Sequence, residues 1–239
     1  MRATVCLPTY NERENLEAMI HALGEVLREG DRVLVIDDAS PDGTGALADG
    51  LATEHEWVFV LHRTAKEGLG PAYLAGFRRA LDDGAELVLE MDCDFSHDPK
   101  DVPRLIAAAE DGADLVLGSR YVPGGSIPNW GALRRFISLG GNIYAQVFLQ
   151  SRIRDLTGGF KCFRRKVLET IPLDAIDAKG YAFQIETTYR VRRAGFKVVE
   201  IPIAFTDREH GTSKMNGSIV VEAVWKVPLL RLRALVGRL

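Results

Sequence analysis

The sequence predicts an α/β protein built on a mostly parallel sheet with helices on both faces. Two observations carry this: short apolar, β-rich runs alternate with segments of helical period, and a polar cluster follows several of those runs. Runs of strand length fall at residues 4–7, 32–36, 57–61 and 87–91, with a shorter one at 115–117. Helical stretches lie between them at 15–27, 45–54, 71–81 and 99–109. Parallel strands need such crossovers, and ligands then gather beyond the carboxyl ends of the strands.

The second half changes character. Residues 121–131, rich in Gly and Pro, read as a loop. Residues 133–149 and 181–194 read as helices, 157–160 as a turn and 197–203 as a strand. A polar loop at 207–217 carries Arg208, His210 and Lys214, and the mostly apolar and basic tail 218–239 is interrupted by Pro228.

Bulk properties narrow the class. At 239 residues the chain suffices for one α/β domain, or a domain with a small appendage. Hydrophobic residues at 46% and charged residues at 26% fit a folded soluble protein rather than a disordered one. A net charge of −3 argues against a nucleic-acid partner, which needs an excess of Lys and Arg. Cys6, Cys93 and Cys162 form no CxxC pair, so free thiols in a reducing compartment are expected. Residues 1–7 are expected to be the first strand rather than a secretory leader. No apolar run approaches the roughly 18–20 residues that cross a bilayer. Any membrane contact is therefore expected at the surface.

The sharpest chemical signal is Asp92-Cys93-Asp94 at the end of the fourth strand. In extended backbone, residues i and i+2 face the same way, so both carboxylates converge on one hard cation. A nucleoside diphosphate leaves well only when its developing charge is neutralised. Asp37-Asp38-Ala39-Ser40-Pro41-Asp42-Gly43-Thr44 follows the second strand, where a carboxylate suits a ribose or a base edge. Pro8-Thr9-Tyr10-Asn11-Glu12 follows the first, with an aromatic able to stack on a base. Neither GxGxxG after the first strand nor GxxxxGK[ST] is present.

With Gly118-Ser119-Arg120-Tyr121, 155–160, 181–186 and 208–214 added, the chain resembles the polyprenol-phosphate mannose synthases of glycosyltransferase family 2. The resemblance runs from residue 5 to about 217. It implies a GT-A fold in residues 1–217, followed by an amphipathic basic helix at 218–239. It further implies transfer of mannose from GDP-mannose to a polyprenyl phosphate lipid, with Mg2+ or Mn2+ as cofactor.

Carried over by residue, Pro8, Tyr10 and Glu12 would hold the guanosine, with Ile36 and Asp38 beside them. Asp92, Cys93 and Asp94 would surround the sugar diphosphate, with Asp92 and Asp94 on the metal. Family members often have Gln as a further ligand where this chain has Ser96, whose shorter hydroxyl would reach an ion through water. Arg120, Arg134 or Arg135, Arg208 and Lys214 would receive phosphates, and Gln184 joins the substrate contacts. Asp94, Arg120, Arg208 and Lys214 are the expected catalytic set.

A lipid phosphate is already anionic at neutral pH and needs no general base, only positioning by Arg and Lys. His97 and His210 are accordingly expected to cap or hydrogen-bond. Direct displacement would invert the anomeric centre. A hydroxyl acceptor would instead need a base, with Asp155 or Glu186 as first candidates, and a UDP-glucose donor would keep the same motifs. The stretch 130–149 and the tail from Trp225 mix apolar residues with Arg and Lys, as interfacial helices do. A peripheral enzyme on the cytoplasmic face of a membrane is expected, acting alone or docked on an integral-membrane partner.

Overall fold

The structure is a computed structural model and describes residues 1–128, 130–178, 180–207, 217–237 and 239. The chain runs β1 (Ala3–Thr9), α1 (Arg13–Gly24), β2 (Arg32–Asp37), α2 (Thr44–Glu54), β3 (Val58–His62), α3 (Leu69–Asp82) and β4 (Leu87–Glu90). It continues through α4 (Val102–Glu110), β5 (Leu115–Ser119), α5 (Ala132–Leu149), β6 (Lys161–Arg164) and α6 (Arg165–Thr170). It closes with α7 (Gly180–Arg193), β7 (Val198–Pro202) and α8 (Gly217–Leu235). The strands form one seven-stranded sheet in the order β3-β2-β1-β4-β6-β5-β7.

Period-two alternation decides which helix covers which face. In β2, Leu34 and Ile36 join the cluster built with α3, while Val33 and Val35 join the one built with α1 and α2. Both clusters are buried, so the sheet is covered on both sides as a parallel sheet requires. α3 lies close on β2, since a Cβ at Gly76 would fall 2.4 Å from Ile36 Cδ1. Residues Val227, Leu230 and Ala234 of α8 enter the α3-side layer, so the tail helix packs into the domain.

The structure departs from the sequence expectations in four places. β6 and α6 were not expected, and β6 runs antiparallel to both neighbours. Its Lys161, Cys162 and Phe163 are all buried, so the segment shows none of the inside–outside alternation that marks a half-buried strand. The fourth strand stops at Glu90, which puts the acidic pair in a turn rather than in extended backbone. The helix expected from residue 99 opens as a single 3-10 turn, Pro99–Asp101, capped by the Asp98 carboxylate on the Lys100 N–H, before α4 begins. Finally, Pro228 lies inside α8 and does not end it.

This topology sets the site. β1, β2, β4 and β5 point their carboxyl ends to one edge of the sheet. Because β6 is antiparallel, it brings its amino end, with residues 157–160, to the same edge. The strand order reverses at β1, between β2 and β4, which is the crevice where doubly wound sheets bind nucleotides.

Candidate active site

Three of the loops that leave that edge each turn on a left-handed residue that is not glycine: Asn11 (φ 55°) after β1, Ala39 (φ 56°) after β2 and Phe95 (φ 58°) after β4. Such residues cost on the order of 1 kcal/mol or more and cluster at functional sites. The surrounding hydrogen bonds hold them. The Asn11 N–H donates to Ser40 Oγ at 3.1 Å, and the Glu12 N–H donates to Thr44 Oγ1 at 3.1 Å, which ties the first loop to the second. Asn15 donates to Glu12 Oε2 at 2.9 Å.

On this side Asp38 is buried and bound by Arg63. Burial pushes its carboxyl up, and the guanidinium opposes that shift. The Lys66 ammonium sits 3.8 Å over the ring of Tyr10. Pro8 is half-buried at the strand end. Ile36 is set apart from these residues: its side chain is fully buried beneath α3, so only its backbone reaches the edge. Arg63 and Lys66 were missed in the sequence, although they follow β3 just as the recognised clusters follow β1, β2 and β4.

The acidic turn comes next. Asp92 is half-buried and accepts from Tyr73 Oη at 3.2 Å. Asp94 is buried and accepts from the Ser96 backbone N–H at 3.0 Å. Ser96 thus supports Asp94 through its backbone, with its carbonyl held by the Thr206 N–H at 3.2 Å. Cys93 is buried in the apolar layer. His97 stacks on Phe160, 4.9 Å between ring centres, with Nδ1 3.5 Å from the Asp92 N–H. Burial pushes its imidazole down to about 4.

Among the described residues, no group of three or more His, Cys, Asp or Glu side chains could hold a metal ion alone. Two neighbouring carboxylates on a turn fit a hard oxygen-seeking cation whose shell a diphosphate and water would complete.

The basic side is built differently. Arg120, 6% exposed, is bound by Asp155 through Nε and Nη2 at 2.7 Å each, and Nη2 also reaches Thr157 Oγ1 at 2.8 Å. These partners engage Nε and Nη2 of Arg120, the guanidinium expected to receive a phosphate. Burial would raise the Asp155 carboxyl, but the charge and hydrogen bonds of Arg120 outweigh it and hold it below the usual range. Asn142 of α5 joins this network, donating to Thr157 Oγ1 at 3.0 Å and accepting from the Leu156 N–H at 2.9 Å.

Arg134 and Arg135 diverge. The Arg135 guanidinium donates to the Ile127 carbonyl at 2.8 Å. The Arg134 guanidinium lies 3.9 Å over Trp130 and pairs with Asp207. Burial raises the Tyr181 hydroxyl, a shift that the charges of Arg120 and Arg134 oppose and that of Asp92 reinforces. Gln184 is buried beside Gly159. Arg208, His210 and Lys214 lie outside the described residues, but the chain enters that segment from Thr206, whose hydroxyl donates to the Phe95 carbonyl at 3.0 Å.

Comparison with known proteins agrees with this geometry. Glucosyl-3-phosphoglycerate synthase from Mycobacterium tuberculosis superposes with a TM-score of 0.70 at 18% identity, over 95% of this chain and 80% of that one. A mannosyltransferase from Pyrobaculum calidifontis, solved with GDP-Man and Mn2+, gives 0.61 at 18% identity, over 99% and 74%. These likenesses establish the GT-A fold. In sequence, the polyprenol monophosphomannose synthase of Mycolicibacterium smegmatis is 51% identical over 231 residues, 95% of this chain and 85% of that protein. The undecaprenyl-phosphate mannosyltransferase of Micrococcus luteus is 50% identical over 227 residues, 95% and 93%. Residues 4–172 match the family model described as glycosyl transferase family 2, and the chain belongs to that family.

Proposed function

We propose that this glycosyltransferase moves mannose from GDP-mannose to a polyprenyl monophosphate at a membrane surface, giving polyprenyl phosphate β-mannose and GDP. Relatives at half identity over nearly the whole chain, named for mannose transfer to polyprenyl phosphates, support the sugar and the acceptor. The observation that carries the reading is the state of the two base candidates. Asp155 is locked on Arg120, and Glu186 on Arg190 at 2.6 Å. Burial raises the Glu186 carboxyl and Arg190 opposes the rise, but the carboxylate lies inside α7, with no exposure to a reacting hydroxyl. An alcohol acceptor needs such a base, and a phosphate does not.

The residues divide the work. Tyr10 and Asp38 flank the nucleoside place, with Pro8 and Glu12 shaping the β1 loop. Asp92 and Asp94 would hold Mg2+ or Mn2+, which neutralises the diphosphate as it leaves. Arg134, Arg208 and Lys214 position the acceptor phosphate. One of its oxygens forms a bond to the anomeric carbon as the bond to the GDP oxygen breaks. No proton moves, and an α-linked donor yields a β-linked product.

Contact with the lipid falls to α5 and α8. The first half of α5 leaves Leu133, Phe136, Ile137 and Leu139 exposed beside Arg134 and Arg135, and α8 exposes Trp225, Leu229 and Leu232. The Tyr144 hydroxyl donates to the Val224 carbonyl at 2.7 Å, which holds the two helices side by side. Among the described residues no helix is long and apolar enough to cross a membrane. An apolar, basic surface of this kind suits the interface of the cytoplasmic leaflet, where the water-soluble donor meets the lipid.

The test is transfer of radiolabelled sugar from GDP-mannose, UDP-glucose and UDP-GlcNAc into polyprenyl phosphate, with and without Mg2+ or Mn2+. Metal-dependent lipid label from GDP-mannose alone is expected. Label from a uridine donor would replace the sugar in this proposal, and no lipid label from any donor would overturn it.

A further inference from the structure

Beneath the acidic turn lies a buried polar cluster that the transfer chemistry leaves without a task. Glu90 and Lys161 are register partners across β4 and β6. Both are fully buried, with the Lys161 ammonium 3.8 Å from Glu90 Oε2. The same ammonium donates to the Gln184 main-chain carbonyl at 3.0 Å and to the Gln184 side-chain Oε1.

An ammonium can only donate, so the amide must turn its oxygen to Lys161 and its NH2 away from it. That NH2 faces Gly159: a Cβ built there would lie 3.2 Å from Gln184 Nε2 and 4.0 Å from Asp92 Oδ2. Gln184 is 2% exposed, and among the described residues its Nε2 has no hydrogen-bond partner of good geometry. The amide lowers the Glu90 carboxyl as a nearby donor does, but among the described residues neither Glu90 oxygen accepts a hydrogen bond of good geometry. A buried donor left over in this way is costly unless something else takes it.

We propose that Lys161 is a positioning residue which fixes the flip and rotamer of Gln184, so that the amide NH2 donates to the transferred sugar over Gly159 beside Asp92. A side chain at Gly159 would crowd the amide. Three segments meet at the ammonium, and each carries a site residue close by in sequence: Asp92 after Glu90, Gly159 before Lys161 and Tyr181 before Gln184. Loss of Lys161 therefore disturbs the geometry of transfer before it disturbs nucleotide binding. The inference rests on the donor site described above, with the sugar beside Asp92.

Lys161→Met alone would strand the Glu90 carboxylate in the core, so the pair is removed together as Glu90→Gln/Lys161→Met. Turnover and calorimetric GDP affinity are measured on this variant after its cooperative unfolding is confirmed. The expected result is a kcat about 100-fold lower, the scale of a misplaced contact, with GDP affinity within about threefold of the parent. Gln184→Met, which keeps both charges and removes only the NH2 donor, is expected to give the same split and decides the matter if the double variant does not fold. A kcat within about threefold of the parent in either folded variant would overturn the proposal. So would parallel losses of kcat and GDP affinity. If the parent turns over a different donor or acceptor, the functional proposal fails by itself, and the two variants are scored on that reaction instead.

Discussion

The acidic side of the site hangs on parallel strand ends clamped between two apolar layers, whereas the basic side hangs on α5 and on a chain that leaves the described residues at Asp207. On the acidic side, Asp38, Asp92 and Asp94 follow directly from β2 and β4, and hydrogen bonds between neighbouring loops fix them. On the basic side, Arg120 is buried and paired with Asp155, while Arg134 is exposed on a helix whose first half buries none of its residues. The contrast matches the two substrates. A soluble nucleotide sugar suits loops held rigidly at strand ends, and the proposed lipid acceptor suits cations on a helix that would also meet the lipid.

Four perturbations would break or sharpen this contrast. The largest is expected on the acidic side: Asp94→Asn should lower kcat about 10³-fold, since charge neutralisation at the leaving diphosphate is the main catalytic contribution. Transfer assays over a range of Mn2+ concentrations check it, and excess metal should not restore the rate. Next comes Arg120→Met, which strands buried Asp155 and should cost about 3–5 kcal/mol in urea unfolding. Asp155 has a depressed carboxyl, so its contribution is complete above the ordinary carboxylate range and is lost as pH falls through the folded-state value. The urea midpoint should therefore fall on acidification in the parent and fall less in Arg120→Met/Asp155→Leu.

Smaller effects are expected from the cations proposed to meet the acceptor. Arg208→Ala and Lys214→Ala should each lower turnover with polyprenyl phosphate roughly 10–100-fold, the range for a lost charge-assisted hydrogen bond, with GDP affinity unchanged. Equal losses in GDP affinity would erase the division between the two sides. The smallest effect belongs to the surface helices. Phe136→Ser, which removes a ring that is 76% exposed, should weaken sedimentation with anionic phospholipid vesicles about tenfold without altering the unfolding midpoint. A fall in stability of more than about 1 kcal/mol would mean that Phe136 packs within the protein rather than on lipid.

Legibility in the sequence followed the same division. β1 to β5 and their helices were readable because each is an apolar run between breakers, and the polar clusters after β1, β2 and β4 stood where such sheets bind nucleotides. β6 was hidden because Lys161 looks like a solvent residue and is instead a buried cross-strand partner of Glu90. Arg63 and Lys66 were overlooked although the strand-end rule applies equally to β3. The pairing of Arg120 with Asp155 joins positions that only the fold brings together, 35 residues apart, so spacing carries no sign of it. The divergence of Arg134 from Arg135 likewise depends on contacts with Trp130 and Ile127, not on local sequence.

The central claim is that a charged acceptor makes a general base unnecessary. Its most direct test offers the protein polyprenyl phosphate and the unphosphorylated polyprenol in matched vesicles with GDP-mannose and Mn2+, and reads the anomeric configuration of the product by NMR. The expected result is β-mannosyl phosphate lipid from the first and no product from the second. Mannosylation of the free alcohol at a comparable rate, or an α-linked product, would contradict the account.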